Sequence, residues 1–129
     1  MSRMVPFHEA SIQCAKDLTK GAKSQLEKYN AITNYVDRVI RYDYVRAATI
    51  PKKNGTPDVN HVWNTHMGIC MDTAALTTGM LRAVGIPARL CFGKADRQNH
   101  AWVEADVAGK HLRYDHDGKA KVYKVERKF

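Results

Sequence analysis

The chain has 129 residues, 44% of them hydrophobic and 26% charged, with 21 basic against 13 acidic side chains and a net charge of +8. That length and balance fit one globular domain, residues 1–129, and exclude a chain disordered throughout. No window reaches the ~18 consecutive apolar residues of a membrane span. Met1 to Glu9 contains no apolar run of the signal-peptide kind. The chain as it stands is therefore expected in the cytoplasm, or outside the cell if it is a domain of a longer secreted protein.

Met1 to Pro6 reads as a lead-in. Ile12, Ala15 and Leu18 fall at helical spacing between His8 and Lys20. From Ser24 a longer pattern runs through Leu26, Tyr29, Ile32, Tyr35, Val36, Val39 and Ile40, an amphipathic helix ending near Tyr42. Residues 46–66, broken by Pro51, Gly55 and Pro57, read as one long loop. A largely buried helix follows, carrying Cys70 at its start and Ala74, Ala75, Leu76, Met80, Leu81 and Val84 along its length. Gly85 and Pro87 stop it.

Ala88 to Gly93 reads as a buried strand and Ala95 to Asn99 as a polar turn. From His100 to Val107 residues alternate, with Ala101, Val103 and Ala105 on one face and His100, Trp102, Glu104 and Asp106 on the other. Ala108-Gly109 is a tight connection, and Lys110 to His116 returns as the partner strand. Val122, Tyr123 and Val125 give a last short strand.

The three cysteines, Cys14, Cys70 and Cys91, form no disulfide framework and no zinc-finger spacing. Cys14 and Cys91 read as small buried hydrophobes. His66 and Cys70 are four apart with His61 upstream, but Gly68 intervenes and no second ligand pair appears, so neither metal nor cofactor is expected. The basic excess raises nucleic acid as a partner. It divides evenly, 10 basic against 6 acidic in residues 1–65 and 11 against 7 in residues 66–129. The aromatics do not interleave with basic residues as in an RNA-recognition surface. The densest basic stretch, Lys119 to Lys128, reads as a solvated strand face.

A thiol at a helix start meets unpaired backbone N–H groups and the positive end of the helix dipole, and both favour the nucleophilic thiolate. An imidazole within reach, oriented by a third group, completes such activation. With Ala108-Gly109 as the turn, His100 falls near Asp117 and Trp102 opposite Asp115. A shift of one or two residues brings Asp115 to His100. A Cys70–His100–Asp115 set is thus geometrically plausible.

Gly68-Ile69-Cys70 with Asp72 and Ala74, the run Leu81-Arg82-Ala83-Val84-Gly85-Ile86-Pro87-Ala88-Arg89, His100-Ala101-Trp102-Val103-Glu104 and Tyr114-Asp115 together resemble the core of the transglutaminase-like superfamily. The upstream helix ending Val39-Ile40-Arg41-Tyr42-Asp43-Tyr44 is also similar, so the resemblance spans most of residues 24–116. It implies an α+β papain-like fold, with N-terminal helices and a central cysteine-bearing helix packed on an antiparallel sheet. It further implies Cys70 as nucleophile, His100 as general base and then acid, and Asp115 as orienter. The reaction implied is acyl transfer from peptide or protein amide groups through a thioacyl-enzyme.

Hydrolysis, by peptidase or amidase action, is expected ahead of cross-linking, since a chain this short lacks further domains to exclude water. The Cys70 N–H is one expected oxyanion donor. Asn64, six residues upstream, is a candidate for the second, with Trp63, His66 and Tyr44 as competitors. Asp72 is expected to cap the first helical turn. Trp102 is expected to pack beside His100 and exclude water. The rival reading is a non-enzymatic basic module binding peptide or nucleic acid on the same fold.

Overall fold

The structure, a computed structural model, describes residues 3–49, 55–116 and 118–129. Helix α1 (Glu9–Leu18) begins at His8, whose ring accepts the Ser11 N–H at 3.2 Å. Helix α2 (Gln25–Val39) begins at Ser24, whose hydroxyl accepts the Glu27 N–H at 3.1 Å. Short strand β1 (Arg41–Tyr42) leads to helices α3 (Tyr44–Thr49) and α4 (Val59–Thr65). Strand β2 (Met67–Gly68) pairs parallel with β1, and helix α5 (Cys70–Ala83) follows at once. Strands β3 (Ala88–Ala95), β4 (Gln98–Val107), β5 (Lys110–Tyr114) and β6 (Tyr123–Lys128) make an antiparallel sheet in the order β5-β4-β3-β6.

Helix α5 is the centre of the molecule, contacting α1, α2 and α4 as well as β3 and β4. Its residues from Met71 to Thr78 are all buried, as befits a helix covered on every side. The polar members of that stretch are satisfied locally: the Thr77 hydroxyl donates to Thr73 O at 2.7 Å and the Thr78 hydroxyl to Ala74 O at 2.8 Å. Ala101, Val103, Ala105 and Val107 of β4 join Leu76, Met80, Leu81, Ile32 and Val36 in the core. At its far end, Gly85 takes the left-handed conformation (φ 84°). The Ile86 N–H then reaches Leu81 O, and the Gly85 N–H reaches Arg82 O, both at 3.1 Å. This is the Schellman closure that a glycine there permits, with buried Leu81 and Ile86 at its two ends.

The β4–β5 hairpin turns at Ala108 and Gly109, both at positive φ, and Val103 faces Tyr114. This is the register read from the sequence, although β5 ends two residues sooner than expected and Asp117 lies outside the described residues.

Three expectations need correction. Residues 46–66 are not one loop. Asp43 Oδ1 accepts the Arg46 N–H in the first turn of α3, and Asp58 caps α4 by accepting the His61 N–H, both at 2.9 Å. Gly55 and Pro57 fall between these two helices; residues 50–54 lie outside the described part. The turn at 95–99 is only Asp96 and Arg97, both at positive φ without glycine, so β3 and β4 run longer than expected. Asp96 instead accepts N–H bonds from Lys121 and Val122, which ties down the entry to β6. Finally, β6 extends to Lys128 along β3, with an irregularity at Phe92/Gly93.

Candidate active site

Cys70 is the first residue of α5 and is half-buried. The turn before it is tight: a Cβ on Gly68 would lie 2.8 Å from Val62 Cγ2 and 3.0 Å from Thr73 Oγ1, so any other residue forces these side chains to shift. Asp72 fixes the helix start. Its Oδ2 accepts the Ile69 N–H at 3.1 Å and so caps the first turn. It does more than cap: Oδ1 accepts the Asp58 N–H at 2.8 Å, and Arg46 grips both oxygens at 2.6 and 3.0 Å. The carboxylate is fully buried. One side chain therefore binds α3, the entry to α4 and α5 together, and the guanidinium balances a negative charge two residues from the thiol.

His100 sits near the start of β4 and Asp115 just past the end of β5. Nε2 of His100 lies 3.0 Å from Asp115 Oδ1 and 2.9 Å from Oδ2, so it carries the proton it donates to the carboxylate. The Cys70 thiol interacts with the same ring, and with Nε2 engaged by Asp115 the nitrogen left to face it is Nδ1. The bond to Asp115, and next the interaction with Cys70, raise the imidazole from its ordinary 6.5 to about 10 against the opposing effect of burial. At neutral pH the ring is an imidazolium beside a thiol at a helix N-terminus. In general, an imidazolium beside a thiol at a helix N-terminus is the setting in which thiolate–imidazolium pairs form.

The profile described as the Transglutaminase-like superfamily matches residues 12–116, a span that includes Cys70, His100 and Asp115. The chain belongs to the transglutaminase-like superfamily. No curated protein matches it. Among solved structures, a Cytophaga hutchinsonii protein provisionally named a cysteine protease is similar at 21% identity and a TM-score of 0.70, over 92% of this chain and 42% of its own. The periplasmic domain of TgpA from Pseudomonas aeruginosa is similar at 21% identity and a TM-score of 0.65, over 89% of this chain and 45% of its own. A structure described as a TGase is similar at 18% identity and a TM-score of 0.66, over 92% of this chain and 32% of its own. At such identities the likeness is one of fold. The chain spans less than half the length of each of these three.

In this transglutaminase-like chain a narrow, mostly apolar cleft opens at Cys70, lined by Tyr42, Gly68, Ile69, Thr73, Ala101 and Tyr114 among others. Trp102 is fully buried and stacks beside His100, with ring centres 6.3 Å apart, while its indole N–H donates to Glu104 Oε2 at 3.1 Å. The other wall and oxyanion candidates lie elsewhere. Trp63 packs edge-on against His8, 5.7 Å away, in a hollow beside Cys14. Asn64 is exposed on α4, and neither residue lines the cleft. His66 is exposed at the left-handed end of α4. Tyr44 is exposed and reaches the cleft only through Tyr42, against which it packs edge-on at 4.8 Å.

Four participants escape sequence reading: Tyr42 on the cleft wall, His116, whose Nε2 bonds Ile40 O at 3.1 Å, Arg46 behind Asp72, and Tyr123, whose hydroxyl donates to Asp115 Oδ2 at 2.7 Å. Each is joined to the site by a contact far from it in sequence, and only the strand pattern around Tyr123 hinted at an ordered position.

The two other thiols are held toward the protonated form. Burial pushes Cys91 up to about 11, with the Glu104 carboxylate adding to the rise. Burial also raises Cys14, partly offset by a hydrogen bond with Tyr35.

Proposed function

We propose that this chain is a cysteine-nucleophile acyl-transfer enzyme that hydrolyses peptide or protein amide groups. The observation that carries the reading is the His100 ring held by both oxygens of Asp115, with Cys70 at the start of α5 acting on the same ring. The Cys70 thiolate attacks the amide carbonyl carbon, and the electron pair of the C=O bond moves to oxygen. The Cys70 N–H, in the first turn of α5 where N–H groups lack intrahelical partners, is the donor proposed for that oxygen. Collapse expels the amine, or ammonia from a carboxamide, which takes its proton from the His100 imidazolium. A thioacyl-enzyme remains. Neutral His100 then removes a proton from water, the hydroxide adds to the thioester, and collapse releases the carboxylic acid and the thiolate. Asp115 holds the imidazole in one tautomer and stabilises the imidazolium at each step.

One feature favours water as acceptor: a polar hollow lined by Gln98, Asn99, His100, Asp115 and Lys119 adjoins the imidazole. The test is a library of peptides and glutamine carboxamides, monitored for released amine or ammonia with and without a primary amine. Acid products from the wild-type chain and none from Cys70→Ala are expected. Equal turnover by Cys70→Ala would overturn the reading, and amine adducts as the main product would replace hydrolysis by transamidation.

A further inference from the structure

Tyr123 opens β6, beyond the residues 12–116 that the superfamily profile covers, and pairs with Ala95 of β3. From there its hydroxyl donates to Asp115 Oδ2 at 2.7 Å, the same oxygen that lies 2.9 Å from His100 Nε2. The tyrosine ring is itself held on two sides. The Trp102 indole meets it edge-on at 4.9 Å and 71°, and the Arg113 guanidinium lies 3.7 Å from its centre. Trp102 in turn stacks beside His100. His100, Asp115, Tyr123 and Trp102 therefore close a ring of contacts.

A carboxylate turns easily about its Cβ–Cγ bond, and Asp115 follows the end of a strand rather than lying within one. Both of its oxygens must face Nε2 to hold the imidazole as observed. A short hydroxyl bond to one oxygen, from a ring packed between Trp102 and Arg113, restrains that plane. We propose that Tyr123 is a positioning residue for the Cys70–His100 pair, acting through Asp115. This rests on the reading of Cys70 and His100 as a thiolate–imidazolium pair. Without the hydroxyl, Asp115 loses this restraint, the imidazole is held less firmly, and Nδ1–H faces the sulfur for a smaller share of the time.

The test is alkylation of Cys70 by iodoacetamide at pH 6, where an ordinary thiol is almost wholly protonated. The rate is followed by mass-mapped labelling and needs no substrate. Four chains are compared: wild type, Tyr123→Phe, Asp115→Ala and the double variant. Phenylalanine keeps the ring between Trp102 and Arg113, and circular dichroism checks each fold. Tyr123→Phe is expected to slow Cys70 labelling roughly 3–10-fold, within the value of one hydrogen bond to a charged group. The same change made in Asp115→Ala is expected to have no further effect, because the partner it acts through is gone. A wild-type rate in Tyr123→Phe would overturn the proposal. So would an equal loss in both backgrounds, which would assign the effect to packing. A wild-type Cys70 that labels no faster than Cys14 would instead remove the pair itself, and the proposed function with it.

Discussion

Asp72 and Arg46 are joined across 26 residues by two charge-assisted bonds of 2.6 and 3.0 Å, and that pair fixes the backbone turn from which Cys70 projects. Arg46→Ala leaves a fully buried carboxylate with only N–H partners, whereas the arginine side chain itself is 19% exposed. Breaking a buried pair on one side costs about 3–5 kcal/mol, and the partial exposure of Arg46 places this case near about 3 kcal/mol. Urea unfolding should show a loss of that size at unchanged slope. Because the loss of Arg46 also frees the helix start, Cys70 alkylation should slow in the folded variant. Wild-type stability in Arg46→Ala would show that the pair is screened or replaced.

The three thiols should separate in reactivity. Cys70 is half-buried at a helix N-terminus beside the His100 ring; Cys91 is fully buried and pushed up to about 11; Cys14 is raised by burial. Labelling of the native chain at neutral pH should therefore modify Cys70 first, then Cys14, with Cys91 reacting only on unfolding. Mass mapping over time gives the order directly. Equal labelling of Cys70 and Cys14 would deny activation.

Much of this site is readable in the sequence because it depends on local signals. The Ala108-Gly109 turn sets the β4–β5 register, which brings Asp115 to His100. The Gly68-Ile69-Cys70 turn and the Gly85 stop bound the central helix. What escapes depends on contacts distant along the chain. Helices α3 and α4 are short, with few buried apolar side chains. They are capped by Asp43 and Asp58 and anchored by Asp72, so no periodicity announces them. Counting back from Cys70 to Asn64 assumes a chain that runs straight into the cleft. The helical turn of α4 and the left-handed residue His66 instead send Asn64 to solvent and Trp63 toward His8. Tyr123 reaches Asp115 because β6 folds back along β3, a pairing the sequence pattern does not specify.

Activity and stability should share an unusual pH dependence. The imidazole of His100 is raised from 6.5 to about 10, chiefly by its bond to Asp115. A raised value in the folded state means that folding favours the protonated ring. That contribution is complete below about 6.5 and is lost as pH rises through about 10. The alkaline limb of kcat/KM should lie near pH 10, and stability should decline over the same range. Asp115→Asn removes the largest cause, so its limb should move down toward ordinary imidazole values. An alkaline limb near 6.5 in the wild-type chain would contradict the geometry.

Asp115→Asn should keep the fold, since Asp115 lies outside the regular strands and asparagine matches its size. Its amide can present the wrong partner to Nε2–H and leave the imidazolium uncompensated. The corresponding change in a serine triad costs about 10⁴-fold. A thiolate is less dependent on the third member because the ion pair is already partly formed. The expected loss in kcat is therefore roughly 10–10³-fold, with circular dichroism unchanged. Unchanged turnover would move the orienting role to another group.

The β6 backbone lies close against Gly93 of β3, where an added Cβ would sit 2.0 Å from Lys124 O. Gly93→Ala must therefore push β6 outward, at a cost of about 1–3 kcal/mol for overpacking. Tyr123, at the start of that strand, should move with it. Reduced stability by urea unfolding, together with slowed Cys70 alkylation, is the expected pair of results. A stable variant with wild-type alkylation would show that β6 can shift without disturbing Asp115.

The most direct test of the thioacyl mechanism is to trap the intermediate. Wild-type protein turning over an amide peptide from the library is quenched in acid within milliseconds, and the peptide carrying Cys70 is weighed. The mechanism predicts the acyl group of the substrate on Cys70, removable by hydroxylamine, and neither adduct nor product with Cys70→Ala. Product formation with no acyl group on Cys70, or sustained by Cys70→Ala, would contradict it.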